Sequence, residues 1–309
     1  MLVDRFGRTI KGLRISLTYD CNLDCFYCHR EGCARGNRSM SAEEIAQTIE
    51  RARELGIQEV KLTGGEPTLR KDLEEIVRNI SRNMDVSMTT NATLLPAVVE
   101  KLAEAGLKRI NVDLPTLDEN RYQFITGRPL LSRALEGIRE AVGVGLKPIK
   151  VNMVLLRGVN VDEVEKMLNF CAENGLILQL IEFLPFNDGL SHFWFDLRPI
   201  EKMLEERAIR IERREMHLRK RYLTPEGEVE IVRSLHNSEF CLHCTRLRLT
   251  PDGYLKPCLM RNDNLVDLLG ALRTGDNEKV REAFFRAVQL REPYFCGTVR
   301  EPNLFVGKG

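Results

Sequence analysis

The chain has 309 residues, 43% of them apolar and 29% charged, with a net charge of +1. That length and balance exclude a mini-scaffold and a disordered segment, and the near-neutral total excludes a global field of the kind that draws a nucleic acid. No apolar run reaches the roughly 18 residues of a membrane span. The start, with Arg5, Arg8 and Lys11 and no leader-like apolar stretch, predicts a reducing, cytoplasmic setting in which the nine cysteines are ligands or buried thiols and not disulfides.

Strand and helix patterns alternate from residue 13 onward. LRISL at 13–17 reads as the first strand. Over 41–55, Ser41 and Glu44 make a capping-box pattern ahead of Ile45, Ile49, Ala52 and Leu55 at helical spacing, and Gly56 stops the helix. Further strands are predicted at 57–63, 85–89, 109–113, 148–155 and 177–183, all but the last followed by helical patterns near 70–81, 96–105, 130–141 and 161–173. Strands separated by helices pair in parallel through right-handed crossovers, and six such units predict an α/β fold curled into a full or partial barrel. Near residue 230 the rhythm breaks. A core over 1–230 is therefore expected, with a cysteine-bearing extension over 231–309.

In a barrel of this kind, reactive groups sit on the loops beyond the carboxyl ends of the strands. CNLDCFYC follows the first strand, TGGEP the second and TTNAT the third, while Asp113 ends the fourth. Cys21, Cys25 and Cys28 have the spacing C-x3-C-x2-C. Three thiolates leave one metal position of a four-iron cluster open, whereas structural zinc takes four ligands. His29 and Cys33 are candidates for a fourth, so a closed zinc or electron-transfer site stands as the alternative for this motif alone. Gly64 and Gly65 carry no Cβ and let the backbone approach a ligand closely, with Glu66-Pro67 stiffening the exit. A second set, Cys241, Cys244 and Cys258, has the spacing C-x2-C-x13-C, with His243 as its candidate fourth ligand. Cys171 falls mid-helix and reads as a small buried apolar residue. Cys296 lies apart in the tail.

The first cysteine motif, with Phe26 and Tyr27 inside its last loop, resembles the signature of radical S-adenosylmethionine (radical SAM) enzymes. That resemblance implies a partial (β/α)6 barrel of TIM type and a 4Fe-4S cluster whose open iron chelates the methionine end of S-adenosylmethionine. Reductive cleavage of that cofactor would yield a 5′-deoxyadenosyl radical. It further implies that Gly65 and Tyr27 contact the cofactor. Asp113 would do so where relatives carry serine, and Leu184 of EFLP where they carry methionine.

From Arg14 to about Met260, the two cysteine sets and the intervening TRLRL resemble the GTP 3′,8-cyclase family, which opens molybdenum-cofactor biosynthesis. The implication is a second 4Fe-4S cluster on Cys241, Cys244 and Cys258, its open iron facing guanine. Arg14, Lys61, Thr89, Lys150, Arg246, Leu247 and Arg248 would contact GTP, and Arg246 and Arg248 would serve the final reduction as catalytic residues. The implied reaction removes the 3′-hydrogen, joins C3′ to C8 and reduces the product. Also implied are an external electron donor, a homodimer, and a product passed to a cyclic pyranopterin monophosphate synthase. Many relatives end in a Gly-Gly pair, whereas this chain ends Gly307-Lys308-Gly309. The rival reading is a peptide-modifying radical enzyme with an auxiliary cluster, a group that usually carries more C-terminal cysteines and lacks the TRLR segment.

Overall fold

The six expected strands form as β1 (Gly12–Ser16), β2 (Glu59–Thr63), β3 (Asp85–Thr90), β4 (Arg109–Asp113), β5 (Ile149–Leu155) and β6 (Ile177–Glu182), paired in parallel in chain order. Six more follow: β7 (Arg210–Arg213), β8 (Lys220–Leu223), β9 (Glu228–Val232), β10 (Arg246–Leu249), β11 (Tyr254–Lys256) and β12 (Val266–Asp267). β9 joins β6 and β10 joins β1, both in parallel, so the parallel run grows at each end. The β7–β8 hairpin then extends one edge antiparallel to β9, and β11 and β12 extend the other antiparallel to β10. This computed structural model describes residues 1–294 apart from Ala34, Phe186, Asn187 and His236; Cys296 and the Gly307-Lys308-Gly309 end lie outside the described residues.

The helices are α1 (Ala42–Glu54), α2 (Leu73–Ser81), α3 (Val99–Glu104), α4 (Glu119–Thr126), α5 (Leu131–Gly143), α6 (Val164–Glu173), α7 (Arg198–Arg207), α8 (Ser238–Leu242), α9 (Leu268–Arg273) and α10 (Asn277–Gln289). The capping box of α1 closes as expected: Glu44 N donates to Ser41 Oγ at 3.1 Å, and Ser41 N to the Glu44 carboxylate at 2.9 Å. Its buried stripe of Ile45, Ile49 and Ala52 shares one core with Ile76, Val77 and Ile80 of α2 and with Leu13, Ile15, Val60 and Leu62 of the sheet. Each of the isoleucines, leucines and valines among these, fully buried, contributes about 1.5–3 kcal/mol. Cys171 is buried in the same core, as its helical position predicts.

A parallel sheet covered on both faces usually reads as unbroken apolar runs. Here the strands alternate. Leu13, Ile15, Val60, Leu62, Leu247 and Leu249 face the helices, while Arg14, Lys61, Thr89, Lys150, Arg246 and Arg248 face inward and line one cavity. Because residues from β1 to β6, β9 and β10 all border that cavity, the sheet curls around it. This is the partial barrel.

Five helices, α4, α7, α8, α9 and α10, escaped the sequence reading. α4 buries only Tyr122, Ile125 and Thr126, too short a stripe to register as a period. α7 buries only Ile200 and Leu204 among charged residues, and its start is set by Pro199 in the first turn. Among the described residues, no helix is long and apolar enough to cross a membrane.

Candidate active site

The cavity, about 860 Å³, is bordered by both cysteine sets. At the first set the three rim motifs are joined by one hydrogen-bond chain. The buried Glu66 carboxylate accepts from Thr90 Oγ1 and from Asn91 N, each at 2.7 Å. Asn91 Nδ2 then donates to Asn22 Oδ1 at 2.8 Å and lies 3.9 Å from Cys21 Sγ. Glu66 thus ties the loop after β3 to the loop bearing the cysteines. Backbone amides also serve the sulfurs, with Leu23 N 3.5 Å from Cys21 Sγ and Arg30 N 3.3 Å from Cys28 Sγ.

Gly64 sits at φ +145°, and a Cβ on Gly65 would fall 2.0 Å from the Asp20 carbonyl oxygen. Only a residue without a side chain lets the β2 exit lie so close to the cysteine loop. Tyr27 and Leu184 border the same end of the cavity, with Tyr27 packed beside Ile125, Leu156 and Phe183.

These thiols fit a cluster. Burial pushes Cys28 up to about 11 and Cys25 higher still, so a bound cationic centre is what would hold them as thiolates. Among the described residues no three His, Cys, Asp or Glu side chains converge as a single ion would require. One thiolate on each of three irons asks for a wider spread. Of the candidate fourth ligands, Cys33 donates its thiol to the Glu31 carbonyl at 3.3 Å, and exposed His243 has Nδ1 2.9 Å from the Glu239 carbonyl; neither borders the cavity. His29 does border it.

The cations form the other wall. Arg14 stands beside Lys61 on β2 and beside Arg248 on β10 in the parallel registers. Lys61 Nζ donates to Asn111 Oδ1 at 2.6 Å, Asn111 to Asn152 Oδ1 at 3.1 Å, and Asn152 to Asp113 Oδ1 at 2.7 Å. That chain of amides runs from the basic wall to the residue expected at the cofactor. Burial, together with Arg14 and Arg246, drives Lys61 well below its usual range. Arg246 falls to about 9, through burial first and then Arg14 and Arg248. A wall of cations that weaken one another is a site short of an anion. The hydroxyl of Thr89 is buried without a partner among the described residues.

Two carboxylates compensate part of this charge. Glu31 accepts from Arg248 at 2.5 Å and from Thr63 at 3.0 Å, with Arg14 at 3.4 Å. Although burial opposes ionisation, Arg14 and Arg248 hold its carboxyl far below the usual range. Glu230 is fully buried on β9, where it pairs with Lys150 and with Arg214 at 2.6 Å and accepts from Gln179 at 2.8 Å; Arg219 lies 3.7 Å away.

The second set lies on α8, just after it, and beyond β11. Met260 N is 3.5 Å from Cys258 Sγ. Two buried guanidiniums grip its backbone: Arg8 donates to the Cys241 carbonyl at 2.9 Å, and Arg291 to the Cys244 carbonyl at 2.5 Å and to that of Arg246. Asp4 bridges them, at 2.6 Å from Arg8 and 3.0 Å from Arg291. Burial raises the Cys244 thiol, but the Arg291 and Arg246 charges and two hydrogen bonds outweigh it and leave the thiol below its ordinary value. Buried Lys256 links the two halves, donating to the Gly32 carbonyl of the first loop at 2.8 Å and to that of Arg261 at 2.6 Å.

Leu247 is fully buried in the core, where the strand period of two sends its side chain opposite to Arg246 and Arg248, so the contact expected of it is left to its backbone. The sequence reading also passed over Glu31, His217, Arg219 and the Asp4–Arg8–Arg291 group. A signal existed for one of these, because Arg213, Arg214, Arg219, Lys220 and Arg221 crowd into a short stretch. Glu31 and His217 had none, since their positions depend on residues distant in the chain.

A parallel partial barrel whose rim carries a three-cysteine loop beside a glycine cradle is the architecture of a radical SAM enzyme, and the model for the Radical SAM superfamily matches residues 15–171. The model for Molybdenum Cofactor Synthesis C matches residues 176–296. The chain is 49% identical over 306 residues to a probable GTP 3′,8-cyclase of Pyrococcus horikoshii, covering 96% of this chain and 98% of that one. It is 47% identical to the probable GTP 3′,8-cyclase of Methanocaldococcus jannaschii over 94% of this chain and 98% of that one. The chain belongs to the GTP 3′,8-cyclase family within the radical SAM superfamily. Its fold is shared by Streptococcus suis SuiB bound to S-adenosylmethionine, at a TM-score of 0.66 and 16% identity over 94% of this chain and 77% of that one.

Proposed function

We propose that this chain converts GTP to (8S)-3′,8-cyclo-7,8-dihydroguanosine 5′-triphosphate in the cavity described, as the first step of molybdenum-cofactor biosynthesis. The observation that carries the reading is the meeting of two three-cysteine sets with Arg14, Lys61, Lys150, Arg246 and Arg248 around one space. Residues 1–230 act as the radical core, and 231–309 carry the second cluster.

Cys21, Cys25 and Cys28 hold one 4Fe-4S cluster, and Cys241, Cys244 and Cys258 a second. Bound together, the first cluster and S-adenosylmethionine supply a 5′-deoxyadenosyl radical. Gly65 leaves room for the methionine end, while Tyr27 and Leu184 give the adenosyl group an apolar wall. Asp113, which burial pushes up to about 6, takes the place of the relatives' serine. The basic wall binds the triphosphate, since guanidinium and ammonium groups that repel each other gain most from an anion. Thr89 offers its unpaired hydroxyl to the substrate. Holding ribose and base in one orientation brings C3′ to C8, and that proximity is the largest contribution the protein makes to ring closure. Arg246 and Arg248 lie closest to the second set in sequence and face the cavity, so they serve the reduction that completes the product.

An external donor supplies the electrons, and the product passes to a cyclic pyranopterin monophosphate synthase. The protein acts as a soluble homodimer in the cytoplasm. Anaerobic incubation with GTP, S-adenosylmethionine and dithionite is the test. A cyclised nucleotide is expected alongside 5′-deoxyadenosine; 5′-deoxyadenosine with no product from GTP would overturn the cyclase assignment. Iron near eight per chain is expected for two four-iron clusters.

A further inference from the structure

Between β7 and β8 the chain makes a tight turn in which His217, at φ 65°, and Leu218, at φ 48°, both take the left-handed conformation. Residues with branched or bulky side chains adopt it at a cost, and such strain collects at functional sites. The turn is pinned from outside itself, because His217 N donates to the His243 carbonyl at 3.0 Å. The imidazole stacks on Phe240, with ring centroids 3.7 Å apart and planes 20° from parallel. Phe240 immediately precedes Cys241, so the stack stands next to the second cysteine set. Both rings border the cavity.

The surroundings decide what this ring offers. Burial, then Arg246, Arg219, Arg248 and Arg14, hold it in the neutral form. A neutral imidazole keeps one acceptor nitrogen. Among the described residues neither ring nitrogen has a hydrogen-bond partner. Guanidinium groups serve the phosphates and the carbonyl of a purine, but they cannot accept from a donor. Guanine, unlike hypoxanthine, carries an exocyclic amine that needs an acceptor. Beside Arg246, Arg219 and Arg248, His217 is an uncharged acceptor held in place before any ligand arrives.

We propose that His217 is a specificity-determining residue of the substrate site, its ring accepting a hydrogen bond from the exocyclic amine of the guanine base. This rests on the reading of the cavity as a GTP site and deepens it. Phe240 fixes the ring plane, and the left-handed turn aims the ring, so little ordering remains to be done on binding.

The test is anaerobic titration of the iron-loaded enzyme with GTP and with inosine triphosphate, which lacks only that amine. The wild type should bind GTP the more tightly. His217→Gly removes the ring while accepting the backbone conformation, and should weaken GTP about tenfold with little change for inosine triphosphate. His217→Asn, whose amide oxygen accepts and whose backbone tolerates the same turn, should keep part of the preference. Equal losses for both nucleotides, or an unchanged ratio, would overturn the proposal. So would a fall in iron per chain, which would make His217 a support of the cysteine loop. Wild-type enzyme that cleaves S-adenosylmethionine but binds neither nucleotide would instead sink the underlying cyclase reading.

Discussion

Asp113 shows how one residue can be both conspicuous in sequence and tuned by its neighbours. Burial pushes its carboxyl from 3.8 up to about 6, against the opposing pull of Asn152 and Arg14. A folded value above the unfolded one means that its contribution to stability is complete below about 3.8 and is lost as pH rises through about 6. Asp113→Asn, neutral throughout, should therefore melt higher than the wild type at neutral and alkaline pH. The advantage should shrink as pH falls through 6 towards 4. A difference in melting temperature that does not vary with pH would contradict this. Asp113, the six cysteines and the inward cations were legible as residues because their chemistry is costly anywhere but at a site. Glu31 was not, because Arg248 lies more than two hundred positions away and nothing near Glu31 in the chain announces the pairing.

Strands carry the next level of meaning. The first six strands and five of the helices between them could be read because their period and their punctuating glycines agree, whereas the β7–β8 hairpin, rich in exposed arginine, carries no apolar alternation to find. β10 sets two functions side by side. Leu247→Ala should cost about 2–5 kcal/mol of stability, read by denaturant unfolding, through the void it leaves among the helices. Arg246→Ala, one step along the strand, should weaken GTP binding and leave S-adenosylmethionine cleavage in place. A large stability loss from the arginine change alone would show that its part is structural. At the end of β2, Gly65→Ala drives a methyl group into the Asp20 carbonyl. Since backbone and not a flexible side chain is in the way, the cysteine loop must shift, at about 1–3 kcal/mol. Loss of S-adenosylmethionine binding with GTP binding retained is the expected result in paired titrations.

At the scale of the whole molecule, two kinds of restraint hold the second cysteine set: hydrogen bonds within the protein, among them the backbone grip of Arg8 and Arg291, and whatever the thiols bind. Removing iron takes away only the latter. Hydrogen exchange should then quicken in residues 238–244 and 257–262 while β1 to β6 keep their protection. Equal loosening of the central strands would mean that the clusters hold the barrel together. The sheet order has a further consequence, in time and not in space. β1 takes β10 as its neighbour on one side, and β10 leaves the ribosome more than two hundred residues later. At about 5–20 residues per second, that edge waits tens of seconds for its partner. During the wait the first cysteine loop already exists and the second does not. On the proposed reading, each newborn chain thus passes through a stage in which the loop assigned to the first cluster has been made and the part of the cavity assigned to the nucleotide has not.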